Sequence, residues 1–104
     1  MKEMSKVILG DKLRKLREGK GFPLRKVAAI LDIDIAILSK MERGERRLTK
    51  EVVIKLASIY DYDLKELLVL YLSEKIITEV GQEEYALTAM KLAQEQMQNK
   101  TGKK

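Results

Sequence analysis

Between Pro23 and Glu42 the sequence sets two short apolar-periodic segments almost end to end, with only Asp32-Ile33-Asp34 between them. In the first, Val27, Ala28, Ile30 and Leu31 fall on one helical face; in the second, Leu38 and Met41 do. Helices this short do not hold their shape alone in water, so each needs a partner to pack on. A turn of three or four residues then dictates how the two cross. Whatever else the chain does, it must be built around this crossed pair.

The rest of the chain reads the same way. Apolar residues make up 45% of 104, mostly aliphatic, and there is one Pro, which favours helices over sheets. Six helical segments are expected: about 5–18, 23–31, 34–42, 49–60, 63–80 and 83–97. Leu9, Leu13 and Leu16 face inward on the first, which stops at Gly19-Lys20-Gly21. Pro23 suits the first turn of the second. Asp34 and Thr49 are N-cap candidates for the third and fourth, with Val52, Val53, Leu56 and Ile59 inward on the fourth. Asp63 and Glu66 form a capping-box pattern on the fifth, flanked by Tyr62 and Leu67 as a hydrophobic staple. Residues 98–104 read as a flexible basic tail.

Several kinds of chemistry are excluded outright. With no Cys and no His, the chain has no zinc finger, disulfide, thiol nucleophile or imidazole base. No Gly-rich phosphate loop, catalytic triad or facing carboxylate pair occurs, so no enzyme and no cofactor are expected. The apolar runs are too short for a membrane span and the N-terminus lacks a signal core, which makes the expected location cytoplasmic. Charge is informative through its placement. Residues 1–60 carry 15 Lys/Arg against 8 Asp/Glu, whereas residues 61–104 carry 6 against 8. One half is suited to a polyanion and the other is not.

At this point the sequence resembles a known family. "FPLRKVAAILDIDIAILSKMERG", Phe22 to Gly44, is similar to the XRE-type helix-turn-helix of phage repressors and their bacterial relatives, at Val27-Ala28, Leu31, Ile33, Asp34, Leu38-Ser39 and Glu42-Arg43-Gly44. The likeness extends over roughly residues 9–68. It implies an all-α fold, a five-helix repressor-like DNA-binding domain extended by a C-terminal helix, with the 34–42 helix entering the major groove. By the same resemblance Ile35, Ala36, Ser39 and Lys40 face base edges. Arg25, Lys26, Arg43, Arg46, Arg47 and Lys50 face phosphates. Backbone N–H groups near Leu24–Lys26 are further phosphate donors. Arg17 and Glu42 pair behind the recognition helix, as scaffold first. The sequence departs from the family at Pro23-Leu24, where Ser or Thr followed by Gln is frequent, and Arg25 then stands in for the Gln. It also departs at Asp32, where Gly is common, and in its apolar recognition positions.

Two features admit two readings each. Ile35 and Ala36 either touch thymine methyl groups, the one apolar mark in the major groove, or Ile35 folds back as packing for Ile30 or for an interface. The 63–80 helix is apolar nearly all round, and such a helix is buried all round. Either the sixth helix covers it within the chain, or Leu67, Leu68, Leu70, Tyr71, Leu72, Ile76 and Ile77 form a homodimer interface, with the sixth helix part of it or a swapped arm. Dimerisation is expected, because one helix-turn-helix covers too little DNA to be specific. The organisation is thus a DNA-binding domain at 5–70, C-terminal helices for dimerisation at 63–97, and the tail at 98–104. The expected function is a sequence-specific regulator of transcription, a repressor or autoregulator, binding double-stranded DNA as a homodimer. A second reading is an antitoxin or protein-binding module whose residues 63–97 clasp a partner protein.

Overall fold

In the computed structural model residues 8–102 are described, with side chains as far as Asn99, and they form six helices and no strand. The expected helix start at Ser5 and the last two tail residues lie outside them. The helices are α1 (Ile8–Gly19), α2 (Leu24–Leu31), α3 (Ile35–Glu42), α4 (Lys50–Ile59), α5 (Leu64–Val80) and α6 (Ala86–Gly102). The last continues past the Met97 expected from periodicity. None is long and apolar enough to cross a membrane.

The core is one cluster drawn from α1 to α5. Leu9, Leu13, Val27, Ala28, Leu31, Leu38, Val53, Leu56, Tyr60 and Leu67 are all buried in it. Burying such side chains contributes roughly 1.5–3 kcal/mol each, before the entropy of ordering the chain is counted. Ala28 lies at the α2–α3 crossing, where a small side chain lets short helices approach. Gly10 does the same between α1 and α3. A Cβ there would stand 2.7 Å from the carbonyl oxygen of Met41 and 2.6 Å from that of Glu42, so α1 crosses the end of α3 in near contact.

One device ends four of the helices. Gly21, Asp32, Gly44 and Asp61 all have positive φ, between 52° and 77°. Each is flanked by the paired reverse hydrogen bonds of a Schellman turn: Phe22 N–H to Arg17 O, Ile33 N–H to Ala28 O, Glu45 N–H to Lys40 O and Tyr62 N–H to Ala57 O, at 2.8–3.1 Å. Asp tolerates this left-handed conformation better than most residues, which accounts for Asp32 and Asp61. The residue after the turn packs back on the core at Phe22, Ile33 and Tyr62.

Some expectations need correction. Ile30 is 56% exposed, not inward, because the α2 face that meets the core is narrow and carried by Val27, Ala28 and Leu31. Asp34 occupies the N-cap of α3 without a side-chain capping bond, whereas Thr49 caps α4 through Val52 N–H at 3.2 Å. Asp63 caps α5 through Lys65 N–H at 3.1 Å, but Glu66 turns instead toward Lys12 Nζ at 3.7 Å. Leu67 is fully buried in its own chain's core and so is not available to an interface. Leu68, Leu70 and Tyr71 also pack against that core in part, because α5 docks on α1 and α4 through its first half.

Candidate nucleic-acid interface

The inner side of α3 is spent on packing. Leu38, Met41 and Glu42 are buried and Ile37 is half-buried. Helical geometry then leaves Ile35, Ala36, Ser39, Lys40 and Arg43 on one outward strip. Ile35 is 48% exposed, and Ala36 and Lys40 are exposed, while Ser39 is half-buried. Ile30, also exposed, stands on the outer side of α2, so two isoleucines of the crossed pair face solvent.

Basic residues border this strip. Arg25 and Lys26 are exposed in the first turn of α2, and Arg46, Arg47 and Lys50 are exposed between α3 and the start of α4. Lys26 Nζ lies 4.3 Å from the Phe22 ring centroid, a cation–π contact that steadies it. The backbone N–H of Lys26 is engaged with Pro23 O at 3.1 Å, so it belongs to the helix's own ladder rather than to an external anion.

Two arginine–glutamate pairs hold the strip from opposite sides. Behind it, Arg17 Nε and Nη2 donate to Glu42 at 2.8 and 3.0 Å, and Arg17 Nη1 donates to Phe22 O at 2.9 Å. The guanidinium therefore joins α1, the α1–α2 turn and α3. Hydrogen bonding to Glu42 raises the Arg17 pKa further above its already high value, so the guanidinium stays charged. The Tyr60 hydroxyl is buried in the same core, without a hydrogen-bond partner among the described residues. Burial, with Glu42 nearby, pushes its pKa well up, so it remains a neutral phenol.

In front, Arg43 Nε and Nη2 donate to Glu45 at 3.1 and 3.0 Å, and Arg43 Nη1 donates to Ser39 Oγ. The Arg43 hydrogen bond holds the Glu45 carboxyl below its ordinary range, so it is ionised at neutral pH. Two residues assigned to DNA in the sequence, Ser39 and Arg43, are thus brought together, and a third, unassigned one joins them. Spacing alone does not reveal Glu45, because it comes two residues after Arg43 and the two meet only through the left-handed turn at Gly44 (φ 77°). There is nevertheless a signal. At the equivalent place in the other three Schellman turns stand Phe22, Ile33 and Tyr62. A glutamate there breaks the local packing rule, and such departures gather at functional positions.

A helix-turn-helix family model matches residues 13–67, just over half of the chain. A curated Thermococcus kodakarensis protein, provisionally named an HTH-type transcriptional regulatory protein, is 37% identical over 59 residues. That match covers 57% of this chain and 19% of the relative, so the chain spans about one-fifth of its length. No solved structure gives a significant match. From the crossed α2–α3 pair, the outward strip and the matched span together, the chain belongs to the XRE-type helix-turn-helix family of DNA-binding transcription regulators.

Proposed function

We propose that the protein binds a palindromic operator as a homodimer and represses transcription, its own included. The observation that carries this reading is the outward strip of α3, apolar at its tip and bordered by exposed cations. Each α3 enters one major groove, and the two half-sites lie about one helical turn apart. Ile35 and Ala36 contact thymine methyl groups, and Ser39 and Lys40 contact polar base edges. Arg25, Lys26, Arg43, Arg46, Arg47 and Lys50 hold phosphates, Arg43 after partial release from Glu45. Arg17 and Glu42 act as scaffold behind the helix. The exposed half of α5, with Leu72, Ile76 and Ile77, supplies the dimer contact.

Selection from random DNA, followed by salt titration on the selected site, tests the proposal. The selected sequences should contain an inverted repeat with A·T pairs opposite Ile35, and affinity should fall steeply with salt as counterions are released. Arg47→Ala should weaken binding to all sequences and lower the salt slope by about 1, whereas Ile35→Ala should change sequence preference. Salt-independent affinity would remove the phosphate contacts, and an Ile35→Ala protein with unaltered preference would remove the thymine reading.

A further inference from the structure

Helix α5 changes character along its length. Leu67 is buried in the core, but Leu72, Ile76 and Ile77 are 53%, 43% and 46% exposed. The chain then turns and α6 leaves the body. Residues 87–99 are all exposed, Leu87 to 80% and Leu92 to 57%. The turn is closed by hydrogen bonds from Gly81 N–H to Ile77 O (2.8 Å), Glu83 N–H to Val80 O (2.9 Å) and Ala86 N–H to Glu83 O (3.3 Å). Beyond this hydrogen-bonded corner α6 runs clear of its own α5. Seven large apolar side chains from Leu72 to Leu92 are 40–80% exposed. A monomer's largest apolar patch is ordinarily only roughly 300–600 Å², and larger surfaces are usually covered by a partner.

Charge indicates what covers it. Helix α5 holds three acidic and two basic residues, with Glu83 and Glu84 just beyond its end, and α6 holds one acidic and two basic. Pairing α5 with α5, or α6 with α6, matches net charges of the same sign. Pairing α5 of one copy with α6 of another sets acid against base, and two-fold symmetry makes the contact twice. We propose that the dimer is built by arm exchange: α6 of each copy lies across the exposed half of α5 of the other, over Leu72, Ile76 and Ile77. The proposal rests on the homodimer reading above and specifies its contact. The exchange buries the apolar half of α5 and α6 in the same step. It leaves α3 of each copy uncovered, and it makes the corner at residues 81–85 the determinant of the distance between the two recognition helices.

The chain has no cysteine, so introduced thiols are the only ones. An Ile76→Cys chain is mixed with a Leu87→Cys chain carrying a mass tag, and a short bismaleimide is added. Circular dichroism confirms folding, and sedimentation gives the oligomeric state. A second pair, Leu72→Cys with Met90→Cys, guards against a misfolded or out-of-register first pair. Arm exchange predicts a band at the summed mass of the two different chains for at least one pair. Linkage of Ile76→Cys chains to one another instead indicates α5–α5 pairing and overturns the exchange. A dimer by sedimentation that gives no mixed band with either pair overturns it too, while the homodimer reading stands. A monomer at working concentrations overturns both.

Discussion

Glu42 and Glu45 stand three residues apart and hold arginines in opposite circumstances. Glu42 is 5% exposed and its partner Arg17 8%, so removing either strands a charge in the core. Glu42→Ala or Arg17→Ala should cost roughly 3–5 kcal/mol in denaturant unfolding. The paired replacement Arg17→Met/Glu42→Leu should recover much of that loss; a double variant as unstable as the sum of the singles would contradict this account. Glu45 is exposed, and an exposed pair contributes about 0–1 kcal/mol at most. Its removal should be felt in binding instead. Glu45→Gln frees Arg43 and deletes a negative charge from the proposed DNA face, so affinity for any duplex should rise and its salt dependence steepen, with the unfolding midpoint nearly unchanged. Weaker binding by Glu45→Gln would show instead that Glu45 positions Arg43 productively. The Arg17–Glu42 pairing followed from the family resemblance. The Arg43–Glu45 pairing did not, because a left-handed glycine at position 44, rather than any spacing, folds the two residues together.

At the level of helices, α3 is held by what α1 does at its start. Gly10 admits the end of α3, and Leu9 N–H donates to Glu74 Oε2 of α5 at 2.8 Å, tying α1 to both. Gly10→Ala pushes a methyl group into two backbone carbonyls that have little room to move. It should destabilise the fold by about 1–3 kcal/mol, and the displacement of α3 should weaken specific DNA binding more than nonspecific binding. Unfolding curves and competition titrations measure the two effects. An undiminished stability would mean that α1 shifts freely. Glu74 adds a pH signature. Burial raises its pKa from the ordinary value of 4.5 and outweighs the opposite effect of the Leu9 N–H. From about 4.5 up to the raised value the folded state keeps a proton that the unfolded state has lost, so this group makes stability fall as pH rises through that window. Glu74→Gln should flatten that part of the stability–pH profile. A profile with the same slope in both proteins would assign the slope to other groups. Helix positions were legible from periodicity, and Asp32's left-handed turn from its place in the motif. Gly10 and Glu74 were not, since both act between segments far apart in the chain.

At the scale of the whole fold, the described residues have a radius of gyration of 15.8 Å, against roughly 13 Å for a compact domain of about this length. The excess comes from α6, which projects from a body whose core is complete without it. Because α1–α5 fold around their own core and the exposed half of α5 is proposed to meet a second copy, stability should depend on protein concentration: the thermal midpoint should rise with concentration if the homodimer forms. A midpoint constant over a hundredfold dilution, with sedimentation showing a dimer throughout, would mean an association too tight to titrate in that range; constancy with a monomer would remove the dimer. The number and order of the helices, the crossed pair, the basic half and the outward strip of α3 follow from local pattern, because helical periodicity and turn chemistry act over a few residues. Which apolar residues are spent inside the chain, and which remain, depends on how the helices pack. That packing buries Leu67, exposes Ile30 and carries α6 away from α5. Burial depends on which helices meet, and pattern alone does not separate an apolar residue facing its own core from one left facing outward.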